Sequence, residues 1–199
     1  MKRSALIIFA LAIICPAAES RVLSLRYFLN DLGKNRDCYF TVELLGPRMG
    51  ERAVLMETEN KDVPLAKVIE AALPGFKLMR YRHSDRVYAL VEINLTKLDG
   101  YGMDELESPN SYAGTPAGLL RILEGRHPSI TPRKEERMED MRTDMVTPIK
   151  FSYDKSTVRE VLTQGLPVEN YSRIMWIADT HIVDGRHETH VVLQGPAQR

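Results

Sequence analysis

Three histidines near the C-terminus, His181, His187 and His190, stand with Asp179 and Asp184 in the run Trp176-Ile-Ala-Asp-Thr-His-Ile-Val-Asp-Gly-Arg-His-Glu-Thr-His190. These are metal-ligand side chains, and a hairpin turning at Asp184-Gly185 would bring His181 near His187. The spacing argues against a metal centre. It matches no zinc signature, and on a strand two residues three apart, such as His187 and His190, point to opposite faces. A solvated hairpin is the simpler reading, so no metal ligand is assigned.

The other reactive side chains give less. Cys38 sits beside Phe40 on the apolar side of a strand pattern, which suits a buried structural thiol better than a nucleophile. Asp104, Glu105 and Glu107 are carboxylates of the calcium-binding kind, yet their spacing is not that of an EF-hand loop. No Gly-rich phosphate loop follows a strand, and no Gly-x-Ser-x-Gly elbow is present. Asn94 and Asn170 open glycosylation acceptor patterns, which matter only in a eukaryotic source. No catalytic or cofactor-binding residue is therefore assigned, no cofactor is expected, and the chain reads as a non-enzyme.

The elements that would position these residues carry a clearer signal. Val63-Pro-Leu-Ala-Lys-Val-Ile-Glu-Ala-Ala-Leu-Pro74 and Ser156-Thr-Val-Arg-Glu-Val-Leu-Thr-Gln-Gly-Leu-Pro167 repeat one pattern. Leu65, Val68, Ile69 and Leu73 match Val158, Val161, Leu162 and Leu166 at one constant offset, each set spaced i, i+3, i+4, i+8. That spacing predicts one amphipathic helix used twice, each stopped by a Pro that lacks the N–H to continue it. Strand-like sequence follows each Pro, at residues 76–82 and 172–178, and then a second apolar run. The repeated unit is helix, strand, strand. Trp176 falls roughly where Tyr81 does in the first copy, and core packing is its expected role.

Around the repeat, Val22, Leu25, Leu29 and Leu32 predict a first helix, with Gly33 as its stop. Residues 38–45 alternate Cys38, Phe40, Val42 and Leu44 with Tyr39, Thr41 and Glu43, a strand with one buried face. Residues 53–58 read as a short additional strand. Residues 98–109 are acidic and Gly-rich, which predicts a surface linker. Thr115 and Pro116 then announce a helix carrying Leu119, Leu120, Ile122 and Leu123, and Ile149, Phe151 and Tyr153 alternate as a strand. Between them, residues 126–147 mix both signs of charge. Met138, Met141 and Met145 make at most a sparse stripe there, so the segment reads as a half-solvated helix or an insertion rather than a Met-rich binding surface.

The N-terminus reads as an address. Lys2 and Arg3 precede a short apolar run, residues 5–14, and Ala17, Ala18 and Ser20 follow, the pattern of a secretory signal peptide cleaved after Ser20. Cys15 would suit lipidation, but the bulky Ile14 stands where that processing wants a small residue. The chain holds 27 basic and 27 acidic side chains, a balance that offers no electrostatic footprint for nucleic acid. Only Cys38 lies beyond residue 20, so the mature chain has no intramolecular disulfide.

The strand at residues 38–45, the helix phrase at 60–73, Pro74-Gly75 and the hairpin at 76–93 together resemble the short N-terminal domain of secretins and TonB-dependent receptors. The resemblance covers most of the first half and, less closely, the second. It implies periplasmic protein–protein contact rather than catalysis. The expected fold class is α+β, with two tandem small α/β units, each of two helices packed on a short mixed or antiparallel sheet. The expected boundaries are a signal peptide at 1–20, a first unit at 21–97, a linker at 98–112 and a second unit at 113–199 that carries the charged insertion 126–147. The expected function is an exported, periplasmic or secreted interaction or scaffolding protein of the bacterial envelope with an envelope protein as partner. The alternative is a secreted hydrolase or metal-binding protein using the C-terminal histidines.

Overall fold

The structure is a computed structural model that describes residues 21–46, 52–56, 61–131, 147–166, 168 and 173–194. The signal-like segment 1–20, Asn170, the three methionines of the charged insertion and most of that insertion lie outside the described residues. β1 (Arg21–Ser24) runs directly into α1 (Leu25–Arg36), where the Ser24 hydroxyl accepts the Tyr27 N–H. Gly33 does not end this helix, which continues to Arg36 and closes on Asp37 in the left-handed conformation. Gly33 serves close packing instead: a Cβ there would stand 2.8 Å from the Cys38 carbonyl oxygen and 2.8 Å from Arg173 Cβ.

β2 (Tyr39–Leu45), β3 (Ala53–Met56), α2 (Leu65–Ala72), β4 (Phe76–Arg80) and β5 (Val87–Glu92) complete the first half. After two 3-10 turns come β6 (Leu106–Glu107), β7 (Asn110–Gly114), α3 (Pro116–Arg126), β8 (Ile149–Tyr153), β9 (Ser156–Thr157), α4 (Val158–Gln164), β10 (Ile174–Val183) and β11 (Arg186–Leu193). α2 and α4 lie on the two copies of the repeated phrase. Thr115 caps α3 by accepting the Gly118 N–H, with Pro116 in the first turn, and Thr157 and Glu160 close a reciprocal capping box on α4. β10 and β11 turn at Asp184-Gly185, both with positive φ, as a two-residue hairpin turn demands.

The two halves are not separate units. Five described strands form one mixed sheet in the order β11-β10-β2-β5-β4, in which β2 of the first half runs parallel to β10 of the second and to β5. This single interleaved α+β domain corrects both the expectation of two tandem α/β units and the resemblance to tandem short N-terminal domains of secretins and receptors. The physical reason lies in β2. Left in a three-stranded unit of its own half it would show a bare edge, and β10 covers that edge. Both faces of β2 are buried, since α1 and α2 cover one side and α3 and α4 the other. Phe40, Val42 and Leu44 pack with α1 residues Phe28, Leu29 and Leu32, whereas Trp176, Ala89 and Val91 pack with Leu119, Val161 and Leu162 across the sheet.

Candidate functional site

Because β2 is central, the polar half of its alternation is buried with the rest. Thr41 and Glu43 are both fully inaccessible and face α4. Arg159, on the first turn of α4, meets the Glu43 carboxylate with Nε on Oε1 and Nη2 on Oε2, the latter at 2.7 Å. The Tyr101 hydroxyl donates to the same Oε2 at 2.9 Å, and Arg159 Nη1 donates to Asp104 at 2.7 Å. Tyr81 shares a 2.7 Å hydrogen bond with Thr41, and Trp176 Nε1 donates to Thr163 at 3.2 Å. Burial and the nearby Glu43 charge push the phenols of Tyr81 and Tyr101 upward, so both remain neutral donors. Burial by itself would lower the Arg159 pKa, but the Glu43 charge and hydrogen bonds outweigh it and the net shift is upward. Every member has a partner, and Glu43, Arg159, Tyr81 and Tyr101 are buried while Asp104 closes the cluster at the surface, so the cluster braces the fold.

A second cluster uses the neighbouring acids. Glu105 and Glu107 lie 2.6 Å from Nδ1 and Nε2 of the buried His127, and Glu107 also accepts from Arg126 and, at 3.3 Å, from the Tyr153 hydroxyl. A neutral imidazole carries one N–H, so two carboxylate contacts require either a doubly protonated ring or a proton held on one carboxyl. Burial would raise the Glu107 pKa, yet hydrogen bonds and charge from His127 and Arg126 hold it below the usual value. The carboxylates weighed as calcium ligands are thus committed to Arg159, His127 and Arg126. The segment that bears them, read as a surface linker, packs partly onto the core: Tyr101, Met103 and Glu107 are buried, whereas Asp104 and Leu106 are exposed, with Asp104 held by Arg159 and Glu107 by Arg126.

The C-terminal histidines are divided by the hairpin. Asp179 pairs with His190 and His181 with Glu188, which puts these four on one face, whereas His187 pairs with Ile182 on the other. The His181 and His190 rings are 6.0 Å apart, and His190 Nδ1 lies 3.1 Å from both oxygens of Thr131. His181 therefore approaches His190 rather than His187, and Asp184 stays in the turn. Among the described residues no group of three or more His, Cys, Asp or Glu side chains is placed to hold a metal ion. Cys38 is buried in the core beneath α1, and Trp176 is fully enclosed.

One cleft opens beside these clusters. About 290 Å³ in volume, it lies between β4 and the start of α4, with Met79, buried Tyr81 and buried Ala89 among its lining. Leu106, exposed to 58 %, adds an apolar rim, and Arg80, Arg82, Lys155 and Glu160 supply charge. Its lining holds no Ser or Cys, and the hydroxyl of Thr157 is engaged in the capping box with Glu160. Its β4 wall is the last strand of the sheet among the described residues. Hydrogen bonds from Ile93 N–H to Gly75 and from Tyr81 N–H to Val87 bracket the antiparallel β4–β5 ladder and fix its phase. Lys77 and Met79 turn their main-chain groups towards β5, and Leu78 and Arg80 turn theirs outward.

Arg159 was missed in the sequence, although the repeat holds its signal: Ala66 occupies the matching position in the first copy. An Arg where the first copy has Ala, next to the apolar positions of an amphipathic helix, is one half of the signal, and Glu43 within the strand Tyr39–Leu45 is the other. Comparison with family models, with curated proteins and with solved structures gave no match.

Proposed function

We propose that this chain is an exported, non-catalytic interaction protein of the bacterial envelope that captures an extended segment of a partner protein along the open edge of β4. The observation that carries the reading is that edge: Leu78 and Arg80 present outward N–H and C=O groups beside a cleft whose lining mixes Met79, Ala89 and Leu106 with charged side chains and holds no Ser or Cys. An added strand would continue the main sheet and lay its alternate side chains over Met79 and Leu106. The signal-like first twenty residues support export to the periplasm or beyond. Among the described residues no helix is long and apolar enough to cross a membrane. The commitment of Glu43, Asp104, Glu105 and Glu107 to hydrogen bonds with Arg159, His127 and Arg126 supports a binding role over a hydrolytic one.

Arg80→Pro tests the reading. It deletes an outward donor while leaving the inward ladder bonds of Met79 and Tyr81 in place. Purified from the envelope with its partner, the native protein should show slow amide exchange at Leu78 and Arg80, and fast exchange once the partner is removed. Arg80→Pro should lose the partner and keep its melting temperature. Retention of the partner at native strength by a folded Arg80→Pro protein would overturn the proposal.

A further inference from the structure

The overall charge balance of the chain conceals a local excess around the cleft. Arg159 is already met by Glu43 and Asp104, and Arg82 reaches towards Glu160 at 4.0 Å. Among the described residues Arg80 donates only to the Ser84 carbonyl, and no carboxylate lies within ion-pair reach of Arg80 or Lys155. The cleft thus places two unneutralised cations beside a strand edge and an apolar lining. Lys155 sits next to β9, across the cleft from Met79 and Tyr81, so a side chain entering from an added strand would arrive between them.

We infer that the segment captured at β4 is acidic, with a Glu or Asp at the position whose side chain enters the cleft and meets Lys155, and apolar residues at its neighbours on that face. This rests on the edge-capture reading above and adds the chemistry of the partner. A cleft of this volume takes one or two side chains rather than a folded surface. Main-chain pairing supplies affinity to any extended peptide, and the pocket selects among them. A carboxylate against the exposed Lys155 ammonium forms a charge-assisted hydrogen bond, whereas a Lys in the same place would meet like charge from Arg80, Arg82 and Lys155.

The test is selection of randomised extended octapeptides displayed against the mature protein, followed by affinity measurement on the enriched sequences. The expected result is enrichment of peptides with Glu or Asp flanked two residues away by apolar residues. Glu→Gln in such a peptide should weaken binding about threefold at about 0.1 M salt, and the difference should shrink at about 1 M, where the screening length falls to about 3 Å. Lys155→Glu should abolish the Glu preference and leave the Gln peptide bound as before. Peptides methylated on alternate backbone nitrogens should fail to bind the unmodified protein, a check that alters no residue of the chain. Enrichment of neutral or basic peptides, or indifference to Glu→Gln, would overturn the acidic inference and leave edge capture standing. No enrichment, or full tolerance of backbone methylation, would overturn edge capture and this inference with it.

Discussion

Arg159 on α4 holds Glu43 on β2 through two parallel hydrogen bonds across 116 residues of chain, with side-chain exposures of 7 % and 0 %. A paired buried charge adds little net stability over an apolar filling, because desolvation consumes the attraction, but loss of one partner strands the other. Arg159→Met and Glu43→Leu should each cost about 3–5 kcal/mol in urea denaturation, whereas the double variant should cost clearly less than their sum. Additive losses would mean that the two side chains do not depend on one another.

The merged core makes a second expectation. Ile69 on α2 and Val161 on α4 lie on opposite sides of the sheet, at 1 % and 0 % exposure. An unpaired carboxylate at either site costs several kcal/mol, comparable with the whole stability of a domain. Ile69→Asp and Val161→Asp should therefore each abolish the same single cooperative melt. Survival of a half-amplitude transition in either variant would indicate independent halves.

Acid should act through Glu107. Its folded-state pKa lies below the usual 4.5, so the carboxylate contributes stability that is complete above the unfolded value and is lost as pH falls through the folded one. Stability measured from about pH 6 downward should decline below about 4.5, and Glu107→Gln should flatten that decline while lowering stability at neutral pH. An unchanged acid limb in Glu107→Gln would assign the acid sensitivity elsewhere.

The histidines should separate by their contacts. His181 is exposed, and His181→Ala should shift stability by no more than about 0.5 kcal/mol. His190 is bonded to Thr131, and His190→Ala should cost about 1 kcal/mol. Added zinc should leave the melting temperature of the native protein and of both variants unchanged. A zinc-dependent rise lost in His181→Ala would restore the metal reading.

Local signals in the sequence marked the elements well. The duplicated spacing located α2 and α4, Thr115-Pro116 located the start of α3, and Asp184-Gly185 located the β10–β11 turn, because each depends on a few adjacent residues. Strand partnership was not legible. The pairing of Val42 with Ile177 is decided by which bare edge meets which, and no periodicity along either strand encodes it. Residues 101–107 were misread for a related reason. Their Gly and acid content matches a solvated loop, and the contacts that bury Tyr101, Met103 and Glu107 come from residues distant in sequence, with Arg126, His127 and Arg159 bonded to the acids. The β4 cleft was equally hidden, since Met79, Leu106 and Lys155 come together only when the chain has folded.

The position of β10 beside β2 also sets a clock. The central strand of the sheet is synthesised early, but the neighbour that closes its edge is the last strand but one among those described. Contacts between segments so far apart in sequence are slow to form, because the loop entropy is lost before the pairing rewards it. A nascent chain therefore carries an open, apolar β2 until its C-terminal hairpin has emerged, and in that interval it depends on chaperones or on remaining unfolded. Loss of the β10–β11 hairpin leaves β2 without its neighbour, so a premature stop near residue 170 removes the whole fold rather than the hairpin alone.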